Sequence, residues 1–133
     1  MISHQQVYLQ IVVVEDEADI RTLLVQMLSF AIGLGKVQAF SSAEDALPLL
    51  QGGTIDLLVT DYNLPGMDGA ALIRLFKAAA PTTPVAMITG YFSPSVQREA
   101  RAAGAQYVLA KPFDLDQITA LVEAVVLSRG PKK

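Results

Sequence analysis

The chain has 133 residues, of which 52% are hydrophobic and 17% charged, and it contains no cysteine. This length and apolar content predict one folded domain and exclude a disordered chain, and the missing cysteine excludes disulfide scaffolds, zinc–thiolate sites and thiol nucleophiles. A formal net charge of -3 without a basic block argues against nucleic-acid binding.

Neither a membrane span nor a secretory leader is predicted. The uncharged segment 22–35 has fourteen residues, which is short of the roughly 20 that a spanning helix needs. No Lys or Arg precedes Arg21, so a leader's basic region is missing. We expect a cytoplasmic protein with a flexible N-terminal tail at 1–8, one domain at 9–127 and a flexible C-terminal end at 128–133.

Five short apolar runs predict the strands of a sheet. In chain order they are residues 11–14, 37–40 (the weakest), 55–60, 85–88 and 107–110. Nearly continuous apolar runs of this length are typical of parallel strands that are covered on both faces.

Helical periodicity occupies the segments between and after these runs. Apolar stripes predict helices at 20–28 and 118–126, the latter with Asp114 as its N-cap. A further helix is predicted at 70–77, where Asp68 and Gly69 are expected to cap and turn into it. Strict alternation of strands and helices favours an open parallel α/β sheet.

Two other helices are predicted from their first residues. Ser41 and Glu44 fit a capping box that opens a helix to about Leu50, and Pro48 is expected to kink or shorten it. The dipeptide Ser93-Pro94 fits an N-cap and first-turn proline for a helix that ends at Ala103.

Polar side chains follow four of the predicted strands at their carboxyl ends, where open α/β sheets bind ligands. They are Glu15, Asp16, Asp61, Thr89 and Lys111. Three carboxylates this close repel one another unless a cation lies among them, and carboxylate oxygens suit Mg²⁺. The ammonium and the hydroxyl suit a phosphoryl group. A carboxylate can itself accept that group, which favours Asp61, because the only histidine, His4, falls in the expected tail.

Four motifs of the chain resemble the receiver domain of two-component response regulators. They are Glu15-Asp16, the segment from Asp61 to Gly69, Thr89-Gly90 and Lys111-Pro112-Phe113. The resemblance covers about residues 9–127. It implies a doubly wound α/β fold with five helices and a five-stranded parallel sheet in the flavodoxin-like order 2-1-3-4-5. It also implies a signalling domain rather than a metabolic enzyme, one that catalyses part of its own phosphorylation and dephosphorylation.

The resemblance also implies roles for the acidic residues. Asp61 would accept a phosphoryl group from a phosphohistidine of a histidine kinase or a histidine phosphotransfer protein. Asp16, Asp61 and the backbone carbonyl of Asn63 would bind Mg²⁺ (or Mn²⁺), and Glu15 would act through water.

The remaining site residues contact or surround the phosphoryl group in this interpretation. Thr89 would bond it, Lys111 would pair with it, and a cis bond before Pro112 would orient Lys111. Asn63 and Tyr91 occupy the positions that tune hydrolysis, and we expect Tyr91 to shield the acyl phosphate from water.

The family's aromatic switch position is occupied here by Val108, whereas Tyr107 precedes it. Neighbours in a strand face opposite sides, so Val108 is expected in the core and Tyr107 on a partner face. The alternative is a bulge that moves Tyr107 into register.

Phosphorylation would bias the fourth helix, fifth strand and fifth helix toward an arrangement that binds a partner. The candidate contacts on this face are Arg98, Arg101, Gln106 and Asp116. We expect that this domain binds neither nucleic acid nor a membrane.

Several alternatives stay open at this point. The chain could be a phosphatase with an aspartyl-phosphate intermediate, although Asn63 stands where such enzymes usually carry a second aspartate. It could also be a receiver fragment of a hybrid histidine kinase, or a degenerate receiver that only binds a partner. A homodimer on phosphorylation is a further expectation, and the output domain is unknown. A calcium loop is excluded because its closing Glu is replaced by Leu72.

Overall fold

In the computed structural model, which describes residues 8–129, five strands alternate with five helices. Their bounds are β1 Leu9–Val14, α1 Ala18–Ile32, β2 Gly35–Phe40, α2 Ala43–Gly52, β3 Leu57–Asp61, α3 Gly69–Ala79, β4 Val85–Thr89, α4 Pro94–Ala103, β5 Tyr107–Ala110 and α5 Leu115–Arg129. All strand pairs are parallel, in the order β2-β1-β3-β4-β5. The predicted doubly wound α/β fold is therefore confirmed.

Alternate residues of the strands enter two apolar cores, one on each face of the sheet. In β1, Ile11 and Val13 pack with residues of α1 and α5, such as Leu28 and Ile118. Val12 and Val14 pack on the opposite face, with residues of α2, α3 and α4. Because both faces are covered, the four strands β1, β3, β4 and β5 carry no charge until they reach the carboxyl edge of the sheet. The edge strand β2 is more exposed and carries Lys36 near its start.

The predicted caps of three helices are confirmed. Asp68 accepts a hydrogen bond from the amide of Ala71 (2.8 Å), and Ser93 accepts one from Val96 (3.2 Å). Asp114 accepts a hydrogen bond from the Gln117 amide at 2.9 Å, and the Gln117 side chain accepts one from the Asp114 amide at the same distance.

The predicted capping box of α2 is wrong in its register. The N-cap is Ser42, whose Oγ accepts from the Asp45 amide at 3.1 Å. Glu44 instead accepts from the amide of Met67, 3.1 Å away. The helix also continues past Pro48 to Gly52, so the predicted shortening does not occur. Burial of neighbouring residues of α2 in the core offsets the one hydrogen bond that a proline removes.

The predicted terminal tails fall largely outside the described residues, which exclude 1–7 and 130–133. At the C-terminal side, α5 extends to Arg129 and so passes the predicted domain end at 127. Within residues 8–129, no helix has both the length and the apolar character needed to cross a membrane.

Candidate functional site

The carboxyl edge of the sheet forms an open cleft of about 400 Å³. Its lining includes Asp16 from the loop after β1, Asp61 from the last position of β3, and Lys111 from the position after β5. Asn63 and Tyr91 line the same cleft from the loops after β3 and β4. Parallel strands end at one edge, which is why residues far apart in sequence meet here.

Lys111 contacts two acids at once. Its Nζ lies 3.1 Å from Oε1 of Glu15 and 3.2 Å from Oδ2 of Asp61. Its backbone amide also donates to the carbonyl of Thr89 at 2.8 Å, and the Lys111–Pro112 peptide bond is cis. The contact with Glu15 is one that the resemblance did not imply.

Burial dominates the electrostatics of this site. Glu15 is fully buried and Asp61 nearly so, and burial raises the pKa of both carboxyl groups because it disfavours their ionised forms. Lys111 opposes the shift of the Asp61 pKa most strongly. Burial alone would lower the pKa of Lys111, but the hydrogen bond to Glu15 and the charge of Asp61 raise it overall. The lysine therefore stays charged between the two acids.

Carboxylate oxygens of Glu15, Asp16 and Asp61 lie within 4.8 Å of one another. Such a set of oxygen ligands fits a hard divalent cation. Oε1 of Glu15 is buried and has the Lys111 ammonium as its partner at 3.1 Å, while its Oε2 accepts from the Glu17 amide at 3.1 Å. Asp16 is exposed, so one ligand of the set faces solvent, from which a cation with its waters could enter.

Arg21 supports the acidic loop after β1, and the sequence interpretation missed it. Its Nη1 donates to the backbone carbonyls of Glu15 (2.9 Å) and Asp16 (3.3 Å). A guanidinium that holds both carbonyls fixes the loop that carries two of the three acids. The available signal was its position as the first basic residue of the chain, shortly after four acids.

The hydroxyl of Thr89 is fully buried and bonds within its own loop. It accepts from the Tyr91 amide at 2.9 Å and lies 3.3 Å from the Tyr91 carbonyl. The structure therefore turns the Thr89 hydroxyl toward the Tyr91 backbone, with no hydrogen bond to Asp61, and Thr89 is not among the residues that line the cleft. The side chain of Tyr91 is 72% exposed.

The register of β5 excludes the bulge. Residues Tyr107–Ala110 pair without interruption with Ala86–Thr89 of β4. Val108 belongs to the core that α2, α3 and α4 cover, whereas half-buried Tyr107 packs against the core of α1 and α5. The bulge alternative is thus wrong, because the two neighbours keep to opposite faces.

The four expected partner contacts are all exposed: Arg98, Arg101, Gln106 and Asp116. Two of them also make contacts within the domain. The side chain of Gln106 accepts from the Val85 amide at 3.0 Å, and Arg101 donates to the carbonyl of Gln106 at 2.9 Å.

Gly69 allows the loop after β3 to close against the backbone of Asp61. Its amide donates to the carbonyl of Tyr62 at 3.0 Å. A Cβ atom at this position would lie 2.2 Å from the carbonyl oxygen of Asp61. Only glycine fits this approach, a requirement that the sequence interpretation of a simple turn did not include.

Comparison with known proteins gives a consistent result. The sequence model of the response regulator receiver domain matches residues 11–123. The chain is 37% identical over 114 residues to the DNA-binding transcriptional regulator NtrC of Escherichia coli K12, covering 86% of this chain and 24% of NtrC. It is 34% identical over 121 residues to the transcriptional regulatory protein FixJ of Bradyrhizobium diazoefficiens, covering 91% of this chain and 58% of FixJ. The chain thus spans about a quarter of NtrC.

Solved structures show the same likeness. The receiver domain of NtrX from Brucella abortus is 31% identical with a TM-score of 0.79, and the match covers 87% of this chain and 97% of that one. The chemotaxis protein CheY4 of Vibrio cholerae is 26% identical with a TM-score of 0.82, over 90% of this chain and 99% of that one.

Proposed function

This chain belongs to the family of response regulator receiver domains, and from that premise we propose that Asp61 accepts a phosphoryl group from a phosphohistidine. The donor would be a histidine kinase or a histidine phosphotransfer protein, in a cytoplasmic two-component pathway. The observation that carries the proposal is the position of Asp61, whose carboxylate lies beside Lys111 and within 4.8 Å of two other acids.

The proposed transfer is an in-line displacement at phosphorus. A carboxylate oxygen of Asp61 forms the new P–O bond while the P–N bond of the phosphohistidine breaks, and the imidazole nitrogen keeps the electron pair and takes up a proton. Mg²⁺ (or Mn²⁺) would neutralise the phosphoryl oxygens. Asp16, Asp61 and the backbone carbonyl of Asn63 would hold it, with Glu15 acting through water.

The other cleft residues would then hold the acyl phosphate. Lys111 already lies 3.2 Å from Asp61 and would pair with a phosphoryl oxygen, with Pro112 orienting it. Thr89 would donate its hydroxyl after leaving the contacts with the Tyr91 loop. Tyr91 and Asn63 would set how fast water reaches the phosphorus.

The proposed output is a changed surface on α4, β5 and α5. In the phosphorylated chain this face would bind a downstream protein, an output domain or a second copy of the chain. Arg98, Arg101, Gln106 and Asp116 would contact the partner. Because Val108 replaces the family's aromatic residue, rotation of an aromatic ring at that position cannot be the switch in this protein.

The test is incubation with Mg²⁺ and acetyl phosphate, followed by mass spectrometry of the intact chain. We expect a gain of one phosphoryl group that Asp61→Asn abolishes, whereas Asp19→Asn, an exposed acid in α1, keeps it. Rapid multiple turnover of the donor would instead favour the aspartyl-phosphate phosphatase, for which Asn63 is an unsuitable acid–base group. The proposal would be contradicted if no phosphorylated chain forms and the donor is not turned over.

A further inference from the structure

Tyr62, the residue after Asp61, has a backbone that is fixed on both sides. Its amide donates to the carbonyl of Ile88 in β4 at 2.9 Å, and its carbonyl accepts from the amide of Gly69 at 3.0 Å. From this fixed position the phenol hydroxyl donates a hydrogen bond to Oε1 of Glu99 in α4. One side chain therefore joins the loop of the acceptor aspartate to a helix that is 37 residues away in sequence.

The helix α4 packs on α3 and β5, but few of its side chains are buried. Only Ala100 and Ala103 of this helix are buried, and an alanine contributes a single methyl group of apolar contact. Within residues 8–129, the bond from Tyr62 is the only hydrogen bond that joins a side chain of α4 to a residue outside 93–106. Loss of this hydrogen bond should therefore loosen the attachment of α4 to the domain.

The surroundings of the hydroxyl are already negative. The acceptor is the carboxylate of Glu99, and Asp68 is close enough to act on Tyr62 electrostatically. Phosphorylation would replace the single charge of the Asp61 carboxylate by the roughly two charges of an acyl phosphate. With Mg²⁺ held in both states, this is a net addition of about one negative charge at the residue before Tyr62. Like charges repel, so the added charge would push the Glu99 carboxylate, and α4 with it, away from the loop.

We propose that the Tyr62–Glu99 hydrogen bond is a latch that holds α4 in place until Asp61 is phosphorylated. The proposal rests on the proposed function, because it links that site to the face expected to bind partners. Linkage requires the effect to be reciprocal: a bond that phosphorylation weakens must itself oppose occupation of the acceptor site.

Hydrogen exchange of the full chain tests the hold on α4 without any phosphoryl group. Tyr62→Phe keeps the ring and removes the donor, and Glu99→Ala removes the acceptor. In both variants we expect the amides of α4 to exchange about three- to tenfold faster, with those of α5 unchanged. Glu123→Ala, which removes an exposed acid from α5, is the matched control and should leave α4 as it is. Unchanged exchange in both variants would overturn the latch.

Titration with beryllium fluoride and Mg²⁺, which mimics the acyl phosphate, tests the coupling. We expect each variant to bind the mimic several-fold more tightly than the wild type, and the double variant Tyr62→Phe/Glu99→Ala to bind no more tightly than either. Faster exchange with unchanged affinity would overturn the coupling. A wild-type chain that takes neither the mimic nor phosphate from acetyl phosphate would overturn the proposed function and the coupling, while the exchange data alone would still decide whether the bond holds α4.

Discussion

The ammonium of Lys111 lies 3.1 Å from Oε1 of Glu15, a carboxylate with no exposed surface. The same ammonium lies 3.2 Å from Oδ2 of Asp61. Lys111 is therefore the counter-ion of two buried acids in addition to its proposed role toward a phosphoryl group. A phosphoryl group on Asp61 would have to share this lysine with Glu15.

Lys111→Met should destabilise the fold, because it leaves two buried carboxylates without their cation. Removing one partner of a buried ion pair costs about 3–5 kcal/mol, and since Lys111 is partly exposed we expect roughly 2–3 kcal/mol here. The midpoint of urea unfolding at neutral pH measures this change. Lys36→Met, which alters an exposed lysine of β2, should shift the midpoint little. Equal midpoints for the two variants would contradict the counter-ion role.

Asp16→Asn should weaken Mg²⁺ binding with little change in the stability of the metal-free chain. Asp16 is exposed, and surface substitutions usually change stability within about 0.5 kcal/mol. A bound ion stabilises the wild type by about 2.7 kcal/mol at a concentration of 100 times Kd. The Mg²⁺ dependence of the unfolding midpoint should therefore move to at least about tenfold higher concentration in the variant. Asp19→Asn is the control and should keep the Mg²⁺ dependence of the wild type. If the unfolding midpoint of the wild type does not change with Mg²⁺ concentration, the proposed metal site is ruled out.

Arg21→Ala should weaken Mg²⁺ binding although Arg21 cannot be a ligand. Its guanidinium holds the carbonyls of Glu15 and Asp16, so its loss loosens the loop that carries two of the acids. Outer partners of metal ligands typically change affinity by about 10–100-fold, and the lower end is expected for this half-exposed side chain. Calorimetric titration with Mg²⁺ measures the change, and Arg74→Ala on α3 serves as the control. Identical affinities in both variants would refute the positioning role.

Gly69→Ala should be strongly destabilising. The added Cβ would lie 2.2 Å from the Asp61 carbonyl oxygen, and the backbone must move to relieve the clash, at a cost of about 1–3 kcal/mol or more. Gly52→Ala provides the contrast, because nothing lies within 4 Å of its added Cβ. That substitution lies within α2 and should stabilise the fold by up to about 1 kcal/mol. Thermal unfolding of the two variants should therefore shift in opposite directions.

Tyr91→Ala should speed the hydrolysis of the acyl phosphate on Asp61 several-fold, because the ring borders the cleft and limits the approach of water. Phe92→Ala removes the adjacent aromatic ring, which is not part of the cleft lining, and should leave the rate near that of the wild type. The decay of phosphorylated chain after removal of acetyl phosphate gives both rates. An unchanged rate in Tyr91→Ala would remove the shielding role.

Local sequence signals located the elements better than they located individual hydrogen bonds. The start of α2 was predicted one residue early, since Ser41 and Ser42 are chemically equal candidates for an N-cap. The structure selects Ser42 and leaves Glu44 to bond Met67, which is 23 residues away. A capping box considers only residues within one turn, so it could not include a partner from the loop after β3.

The sequence by itself determined the alternation of strands and helices and the residue types at the carboxyl edge of the sheet. It could do so because buried strands exclude charges, so that each acid or lysine that ends an apolar run marks the edge. Only the tertiary structure decided that Lys111 pairs with Glu15 as well as Asp61, that Arg21 holds the acidic loop and that Tyr62 reaches α4. These contacts join residues whose separation in space depends on the packing of whole helices and on side-chain reach, and neither quantity has a periodic signal in the chain.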